Sequence, residues 1–160
     1  MLKADIMHNI VYGTLNFEDS NEIRRAAQIH ESAPLNWNPN YIVRDERIQN
    51  WCNFLRSATQ DSSIYVISAK TESGELVGLH WLQLTEKYNE KCAHIQSLWV
   101  ADEHRLAGIG AELKKRGEEW AKKNGAKFIV TEVFYANKKM INYNIKMGFS
   151  ARQVEMVKDL

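Results

Sequence analysis

The sequence predicts a single α/β (α+β) domain. Its central sheet is expected to be mixed and mostly antiparallel, with six to seven strands and about four flanking helices. The chain has 160 residues, of which 44% are hydrophobic and 26% charged, and this suits a single compact domain over residues 1–160. β-rich runs separated by turn residues follow one another in the middle of the chain, which indicates antiparallel pairs. Beyond residue 100 the apolar period becomes helical and another β-rich run follows, which indicates a strand–helix–strand unit.

The first part of the chain is expected to contribute a strand and two helices. Residues 9–15 form a β-rich run, and Asp19 with Ser20 offers a cap for a helix over residues 22–31. Residues 35–41 combine turn formers with large aromatic side chains, so this loop serves either as a substrate lid or as packing for the core. A second helix follows, because apolar residues recur at helical spacing. They are Ile48, Trp51, Cys52 and Leu55.

Three β-rich runs then predict an antiparallel meander. Residues 64–69 and 76–84 are joined through Gly74, which suits a reversing turn. Residues 93–100 form the third run. The meander ends where the apolar period changes to that of a helix.

The remaining chain predicts a helix, a strand, a second helix and a final strand. The first of these helices ends at Gly125, because glycine accepts the left-handed conformation common at helix ends. Residues 127–134 form the strand, and Asn137 caps the helix that runs to Met147. Residues 149–160 alternate enough to form a last strand or a tight pair.

Charge and cysteine usage limit the possible partners. The formal net charge is +1, so no field from the whole protein would recruit nucleic acid or a membrane surface. Cys52 and Cys92 lie far apart without metal-ligand spacing, so we expect reduced thiols and no metal. The chain offers neither a signal peptide nor an apolar run long enough to span a membrane. We therefore expect a cytoplasmic protein.

The turn at residues 105–110, with the sequence RLAGIG, is a candidate anion-binding site. A helix that begins directly after a glycine-rich turn leaves backbone N–H groups free and presents the positive end of its dipole, which together hold phosphate. Gly108 and Gly110 would let the backbone approach a ligand closely. The same glycines can also serve chain geometry alone. Dinucleotide and P-loop fingerprints are not met, because position 113 is Leu and no Gly-Lys-Ser/Thr follows.

Four motifs follow one another between residues 93 and 149. They are Ile95-x-x-Leu98-x-Val100, Arg105-x-x-Gly108-x-Gly110, Val133-x-x-x-Asn137 and Gly148-Phe149. In this order and with these spacings they resemble the acetyl-CoA core of the GNAT superfamily of N-acetyltransferases. The resemblance implies a V-shaped splay between the strands at 93–100 and 127–134. It also implies an enzyme that transfers an acetyl group from acetyl-CoA to a primary amine, by direct attack in a ternary complex.

The resemblance further implies which residues bind acetyl-CoA. Main-chain amides from Leu106 through Ala111 would hold the pyrophosphate, and the strand edge at residues 98–100 would pair with the pantetheine arm. Leu106 and Ala107 depart from the glycine and basic residues common at those positions, which removes one charge contact to phosphate. The side chain of Asn137 would either help hold pantetheine or only cap its helix. The implied cofactor-binding residues are Leu98, Trp99, Val100, Arg105, Leu106, Ala107, Gly108, Ile109, Gly110, Ala111, Asn137 and Asn144.

Acetyl transfer from a thioester to an amine is helped by an oxyanion donor, a base and an acid. The resemblance implies the main-chain N–H of Leu98 as the oxyanion donor. It implies His94 as the base, because this position matches a catalytic Glu or His in two branches of the family. Glu132 on the neighbouring strand and His80 are the alternatives.

The acid departs from the family pattern. The tyrosine position of the family falls on Asn144, whereas the tyrosine of this chain is one residue earlier, at Tyr143. One residue turns a helical side chain by about 100°, so Tyr143 is expected to point away from the sulfur unless the helix is shifted. Asn144 donates a hydrogen bond but cannot deliver a proton as a phenol does. Water would then protonate the thiolate.

The acceptor amine is not identified by the sequence. Several aromatic side chains and one carboxylate would either line an entrance or pack in the core. These substrate-binding candidates are Trp37, Tyr41, Trp81, Glu132 and Tyr135. A module that binds acyl-CoA without catalysis is the alternative function, motivated by the missing tyrosine. The resemblance also allows a homodimer, through residues 153–160 or an exposed sheet edge.

Overall fold

The computed structural model describes residues 9–160 and contains five strands, four α-helices and three short 3₁₀ segments over that range. The strands are β1 (Val11–Thr14), β2 (Ile64–Lys70), β3 (Leu76–Lys87), β4 (Glu90–Val100) and β5 (Phe128–Val130). The α-helices are α1 (Ser20–Ser32), α2 (Asp45–Ser57), α3 (Ile109–Lys123) and α4 (Lys138–Lys146). The 3₁₀ segments cover Ala33–Asn36, Ala58–Gln60 and Asp102–His104.

The strands form one sheet in the order β1-β2-β3-β4-β5. The first four pair antiparallel in chain order, and β5 pairs parallel to β4 after the crossover through α3. Helices α1 and α2 pack on one face of the sheet and α3 packs on the other, so the core lies in two layers. The predicted fold class, a mixed and mostly antiparallel sheet with four flanking helices, is confirmed.

The predicted number of six to seven strands is wrong for the part of the chain that the structure describes. Residues 149–160 form no strand, and residues 151–160 are exposed throughout. Alternation of apolar residues does not by itself supply the hydrogen-bond partners of a strand. The edge strand β5 has only three residues instead of the predicted 127–134, so it offers few such partners. A homodimer interface through residues 153–160 stays a prediction.

The helix ends follow the predicted capping chemistry. The carboxylate of Asp19 accepts hydrogen bonds from two N–H groups of the first turn of α1, at 2.9 and 3.2 Å. The amide oxygen of Asn137 accepts one from the N–H of Met140 at 3.2 Å, where α4 begins. Each cap satisfies N–H groups that the first helical turn leaves without a partner. At the end of α3, Gly125 has a φ of +81°, which glycine adopts without a Cβ clash.

Two glycines let α3 lie close to the sheet. A Cβ on Gly78 of β3 would lie 2.9 Å from Ile109 and 3.0 Å from Leu113, two side chains of α3. A Cβ on Gly117 of α3 would lie 2.8 Å from the ring of His80. These distances are shorter than van der Waals contact, so glycine is the residue that fits at both positions. These contacts set the distance between α3 and β3. They also set the position of the first turn of α3 relative to the end of β4.

We expect Gly78→Ala to lower the free energy of unfolding by about 1–3 kcal/mol, because the added methyl group overpacks the contact with α3. Gly13→Ala in β1 is the matched control, since a Cβ there meets nothing within 4 Å. We expect the control to change stability by less than about 0.5 kcal/mol. Urea denaturation followed by circular dichroism measures both variants. Equal effects of the two substitutions would contradict the close packing of α3 on β3.

Candidate active site

β4 and β5 separate after a short parallel pairing. Residues 92–94 of β4 pair with residues 128–130 of β5, and β4 then continues to Val100 without a partner on that side within the described chain. A bulge accompanies the separation, since Gln96 is skipped in the register between β4 and β3. The V-shaped splay that the resemblance implies is confirmed. Backbone groups of β4 beyond His94 are therefore available to a ligand.

Two histidines contact Ser97 from opposite faces of the sheet, directly after the bulge. The Nδ1 atom of His30, on α1, lies 2.6 Å from the Ser97 hydroxyl oxygen. The Nδ1 atom of His80, which faces α3, lies 3.0 Å from the Ser97 carbonyl oxygen and donates to it, because a carbonyl only accepts. Ser97 is 8% exposed. The bulged segment is thus held by one buried contact on each face.

Burial keeps both histidines neutral. Desolvation lowers the pKa of His30 from 6.5 to about 4, against an opposing effect of Glu31. The ring packs against Trp51 and Trp81, with centroid distances of 4.4 and 4.8 Å. Desolvation also lowers the pKa of His80 to about 4, although its hydrogen bond to the backbone opposes this shift. Both rings therefore act as uncharged hydrogen-bonding groups near neutral pH.

The carboxylate of Glu31 anchors the loop between α1 and α2. Glu31 is 2% exposed and accepts hydrogen bonds from the Tyr41 hydroxyl at 2.7 Å, the Arg47 guanidinium at 3.0 Å and the Trp51 indole at 3.2 Å. Burial alone would raise the pKa of this carboxyl group, but the three hydrogen bonds hold it below its usual value. The hydroxyl of Tyr41 is thus hydrogen-bonded to a buried carboxylate, whereas the residue as a whole stays partly exposed.

The turn before α3 has the backbone geometry of an anion site. Gly108 is the N-cap of α3 with a φ of +82°, and Leu106 also has a positive φ of +67°, which is strained for a residue with a side chain. The first N–H groups of α3, from Ile109 onward, have no acceptor within the helix. A Cβ on Gly108 would meet nothing within 4 Å, so open space lies over this backbone. The predicted cradle of residues 105–111 therefore comes together at one helix end.

Arg105 ties this cradle to the end of β4. Its Nε atom donates to the Val100 carbonyl oxygen at 3.2 Å, and its guanidinium pairs with the Asp102 carboxylate at 2.7 Å. Both side chains of the ion pair are more than half exposed, at 54% and 82%, so the pair contributes little to stability. Its effect is geometric, because it keeps the turn next to the splay.

Helix α4 directs two polar residues toward α3. Asn144 is 6% exposed, and its amide oxygen accepts a hydrogen bond from the Lys114 ammonium at 2.8 Å. The hydroxyl of Tyr143 is buried and has no hydrogen-bond partner among residues 9–160. A Cβ on Gly110 would lie 3.2 Å from this hydroxyl, so Tyr143 reaches the first turn of α3. Burial raises the pKa of the Tyr143 phenol.

The three candidate bases differ in exposure. His94 is partly exposed on β4, and its Nδ1 atom lies 3.1 Å from the side-chain nitrogen of Gln96. Glu132 is exposed, just beyond the end of β5. His80 is 1% exposed beneath α3, so it cannot contact an acceptor amine. His94 and Glu132 therefore remain as candidates.

The expected entrance residues lie in different environments. Trp37 stacks on Phe134 with ring centroids 6.1 Å apart, which brings the α1–α2 loop to the segment after β5. Tyr135 is 72% exposed beside this stack. Trp81 is 1% exposed, because it points from the central strand β3 into the core against Trp51. The prediction that Trp81 lines an entrance is therefore wrong.

Sequence reasoning misses Lys114, Ser97 and His30, which lie beside the splay and the cradle. The sequence does contain a signal for Lys114. Positions 110, 114, 117 and 121 share one face of α3, and all of them except Lys114 are glycine or alanine. A lysine on such a face indicates a close, buried contact. The contact between His30 and Ser97 joins residues 67 positions apart, and no local pattern reports it.

Metal-binding and membrane-spanning features are absent from residues 9–160. No group of three or more His, Cys, Asp or Glu side chains in that range could hold a metal ion. No helix of the same range is long and apolar enough to cross a membrane. Cys52 and Cys92 are buried free thiols.

Residues 26–149 match the sequence profile of the Acetyltransferase (GNAT) family. The chain belongs to this family. By its family it is an acetyltransferase, and enzymes of this family typically use acetyl-CoA. The match extends from within α1 to just beyond α4, and it includes both the splay and the turn before α3.

Solved structures share the fold along nearly the whole chain. An acetyl transferase from Pyrococcus furiosus is 25% identical, with a TM-score of 0.75 over 95% of this chain and 100% of that one. An aminoglycoside acetyltransferase from an uncultured soil metagenomic sample is 16% identical, with a TM-score of 0.70 over 98% and 99%. Glucosamine-6-phosphate N-acetyltransferase from Arabidopsis thaliana is 17% identical, with a TM-score of 0.66 over 94% and 98%. No curated protein sequence matches the chain significantly.

We expect this GNAT enzyme to lose stability as the pH falls from about 6.5 to about 4. In that window the unfolded chain protonates its histidines, whereas His30 and His80 stay neutral in the folded state. The loss is on the order of 3 kcal/mol for each histidine. Chemical denaturation at a series of pH values measures it. His80→Gln keeps a donor toward the Ser97 carbonyl and should flatten the pH dependence, and an unchanged slope would contradict the prediction.

Proposed function

We propose that the enzyme transfers the acetyl group of acetyl-CoA to a primary amine, by direct attack of the amine within a ternary complex. The observation that carries this proposal is that the open edge of β4 and the amide cradle of α3 lie side by side. An acyl thioester of CoA needs the strand edge for its amide-containing arm and the helix end for its phosphates. The separation of β4 from β5 lets donor and acceptor meet between the two strands.

The cradle fits CoA mainly through its main chain. Gly108 leaves room for phosphate oxygens to approach the amides from Leu106 to Ala111, because a Cβ there would meet nothing within 4 Å. The buried hydroxyl of Tyr143 lies beside Gly110, so α4 packs against the first turn of α3.

The edge residues Leu98, Trp99 and Val100 supply the contact for the pantetheine arm. In this proposal the main-chain N–H of Leu98 also donates to the acetyl oxygen as negative charge develops on it. Such a donor is set in place by the strand and does not reorganise during the reaction. The side chain of Asn137 caps α4, so the proposal assigns it no direct contact with CoA.

His94 is the proposed base that takes the proton from the attacking amine. Its ring lies on β4 before the splay, with Gln96 beside Nδ1. For Nε2 to accept a proton, Nδ1 must carry the hydrogen and Gln96 must present its amide oxygen, since an amide nitrogen only donates. The two ends of an amide have nearly the same shape, so this orientation fits the same contact. Gln96 then fixes the tautomer that the base requires.

The acceptor is proposed to enter beside the stack of Trp37 on Phe134. Tyr135 adds an exposed ring to this entrance, and the hydrogen-bonded Tyr41 supports the loop from below. Glu132 adds an exposed carboxylate, which favours an acceptor that carries a positive charge. These residues point to a cationic primary amine with an apolar portion.

Isothermal titration with acetyl-CoA, followed by thiol release over a panel of primary amines, tests the proposal. We expect binding, together with turnover on at least one cationic amine. Binding without turnover on the whole panel would favour a non-catalytic acyl-CoA-binding role. A lack of binding would contradict the proposed function.

Gly110→Val should weaken acetyl-CoA binding at least tenfold, because its side chain would crowd the Tyr143 hydroxyl and displace the first turn of α3, whose amides form the proposed cradle. Gly13→Val, in a strand position with open space around it, is the control for a general effect of valine. Titration calorimetry measures affinity, and thermal unfolding confirms that both variants are folded. Equal affinity of Gly110→Val and wild type would place the cofactor elsewhere.

His94→Gln should lower kcat by a factor of about 10²–10⁴, as expected for removal of a general base. Acetyl-CoA affinity should stay near that of wild type, because the substitution leaves the proposed cradle unchanged. Glu132→Gln is the comparison, because it removes the other accessible candidate. A loss confined to Glu132→Gln would transfer the role of base to Glu132.

A further inference from the structure

His80 is a buried histidine that contacts both α3 and β4. The residue is 1% exposed on β3, and its Nδ1 atom donates to the Ser97 carbonyl oxygen at 3.0 Å. Its Nε2 atom lies against α3, since a Cβ on Gly117 would be only 2.8 Å from it. The imidazole therefore fills the space between the helix and the bulged strand. A packing role alone would be served better by an apolar side chain, because a buried polar ring requires a hydrogen-bond partner.

The ladder between β3 and β4 gives the direction of the backbone groups next to this contact. The N–H of Ala101 donates to the Val77 carbonyl oxygen at 2.9 Å, and the register is not shifted between this pair and Ser97. In an antiparallel ladder, residues whose backbone groups face the partner strand alternate with residues whose groups face away. Ser97 lies an even number of positions before Ala101, so its carbonyl faces β3. The N–H of Leu98 therefore points to the opposite edge, where β4 has no partner within residues 9–160.

The Ser97 carbonyl and the Leu98 N–H belong to one peptide unit. This unit is planar, and in the trans form its C=O and N–H bonds point in opposite directions. A hydrogen bond that holds the carbonyl therefore also fixes the direction of the N–H. It strengthens the N–H as a donor as well, because successive hydrogen bonds polarise one another. The contact from His80 thus acts on the open edge of β4 without reaching that edge.

We propose that His80 is a positioning residue for acetyl transfer, because its hydrogen bond to Ser97 orients and polarises the Leu98 N–H that holds the acetyl oxygen. The inference rests on the proposed function, in which this N–H stabilises the negative charge that develops on the acetyl oxygen. Such a donor is effective when its direction is fixed before the reaction begins. His80 itself does not contact the cofactor or the acceptor, because it lies beneath α3.

The surroundings of His80 keep it in the form that this role requires. Desolvation lowers its pKa to about 4, so the ring is neutral near pH 7. A carbonyl oxygen only accepts hydrogen bonds, so the hydrogen of the neutral ring lies on Nδ1. On the other face of the sheet, His30 contacts the Ser97 hydroxyl at 2.6 Å. This second contact limits the rotation of the same residue.

The strength of the hydrogen bond to the acetyl oxygen is measurable without an acceptor amine. Infrared difference spectra of bound acetyl-CoA, isotope-labelled at the thioester carbonyl, give the stretching frequency of that group. We expect this frequency to be lower for acetyl-CoA bound to wild type than for free acetyl-CoA, because a hydrogen bond weakens the C=O bond. Part of the shift should be lost in His80→Leu. It should return in His80→Asn, because Asn has the shape of Leu and carries an N–H donor at the level of Nδ1.

Turnover of the cationic amine found in the panel gives the second readout. We expect kcat to fall about tenfold in His80→Leu, with acetyl-CoA affinity and the KM of the amine within about threefold of wild type. His80→Asn should recover most of this loss. His80→Phe keeps a ring without a donor, and it replaces His80→Leu in both measurements if thermal unfolding shows that His80→Leu is not folded.

Ile67→Val is the matched control for a loss of buried volume beside His80. Ile67 pairs with His80 across β2 and β3 and is fully buried, but its side chain has no polar group. We expect this variant to keep the carbonyl frequency and the kcat of wild type. A shift or a loss of kcat as large as that of His80→Leu would mean that packing alone matters, which would overturn the positioning role.

The outcomes separate this inference from the proposed function. A lack of acetyl-CoA binding to wild type would contradict the proposed function, and the role of His80 would fail with it. Binding with the same carbonyl frequency in wild type and His80→Leu would overturn the positioning role and leave the proposed function in place. The positioning role would also be overturned if His80→Asn lost as much of the shift and of kcat as His80→Leu.

Discussion

The position of Ser97 is the constraint on which the candidate active site depends. A strand that stayed paired along its whole length would leave no opening in the sheet, and β4 leaves β5 shortly before this residue. A bulged strand has backbone groups that must find partners outside the regular ladder. His80 and His30 supply contacts from the two faces of the sheet, and both are carried by elements packed in the core. The opening between β4 and β5 is therefore held in place by residues of the packed core.

The place of the proposed cofactor cradle follows from the packing of α3. Close contacts at Gly78 and Gly117 set the helix over the sheet, and Arg105 ties the preceding turn to β4. The free amides of a first helical turn point along the helix axis, so the placement of the helix also sets the direction of the anion site. In the proposed function, phosphate binding rests on main-chain geometry. Such binding tolerates Leu106 and Ala107 where the family has glycine and basic residues.

Burial has different consequences for the buried basic groups. The ordinary pKa of a histidine is 6.5, so desolvation leaves His30 and His80 uncharged near neutral pH and suits them to hold a strand in place. The ordinary pKa of a lysine is 10.5, and desolvation brings the pKa of Lys114 to about 8. Both protonation states of Lys114 are therefore populated at moderately alkaline pH. Of these three groups, the lysine is the one whose pKa stays above neutral.

The sequence by itself determined the order of most helices and strands, their caps and the glycine turn before α3, because these features depend on neighbours along the chain. Asp19 and residues 105–110 act on backbone within a few positions, and family motifs added the splay. The predicted strand at 149–160 failed because a strand requires a partner that no local pattern supplies. The buried pairs of Lys114 and of His30 join residues 30 and 67 positions apart, so only the tertiary structure decided them. Desolvation and packing depend on which distant elements contact each other. The register of the sheet and the distance of α3 from it decide these contacts.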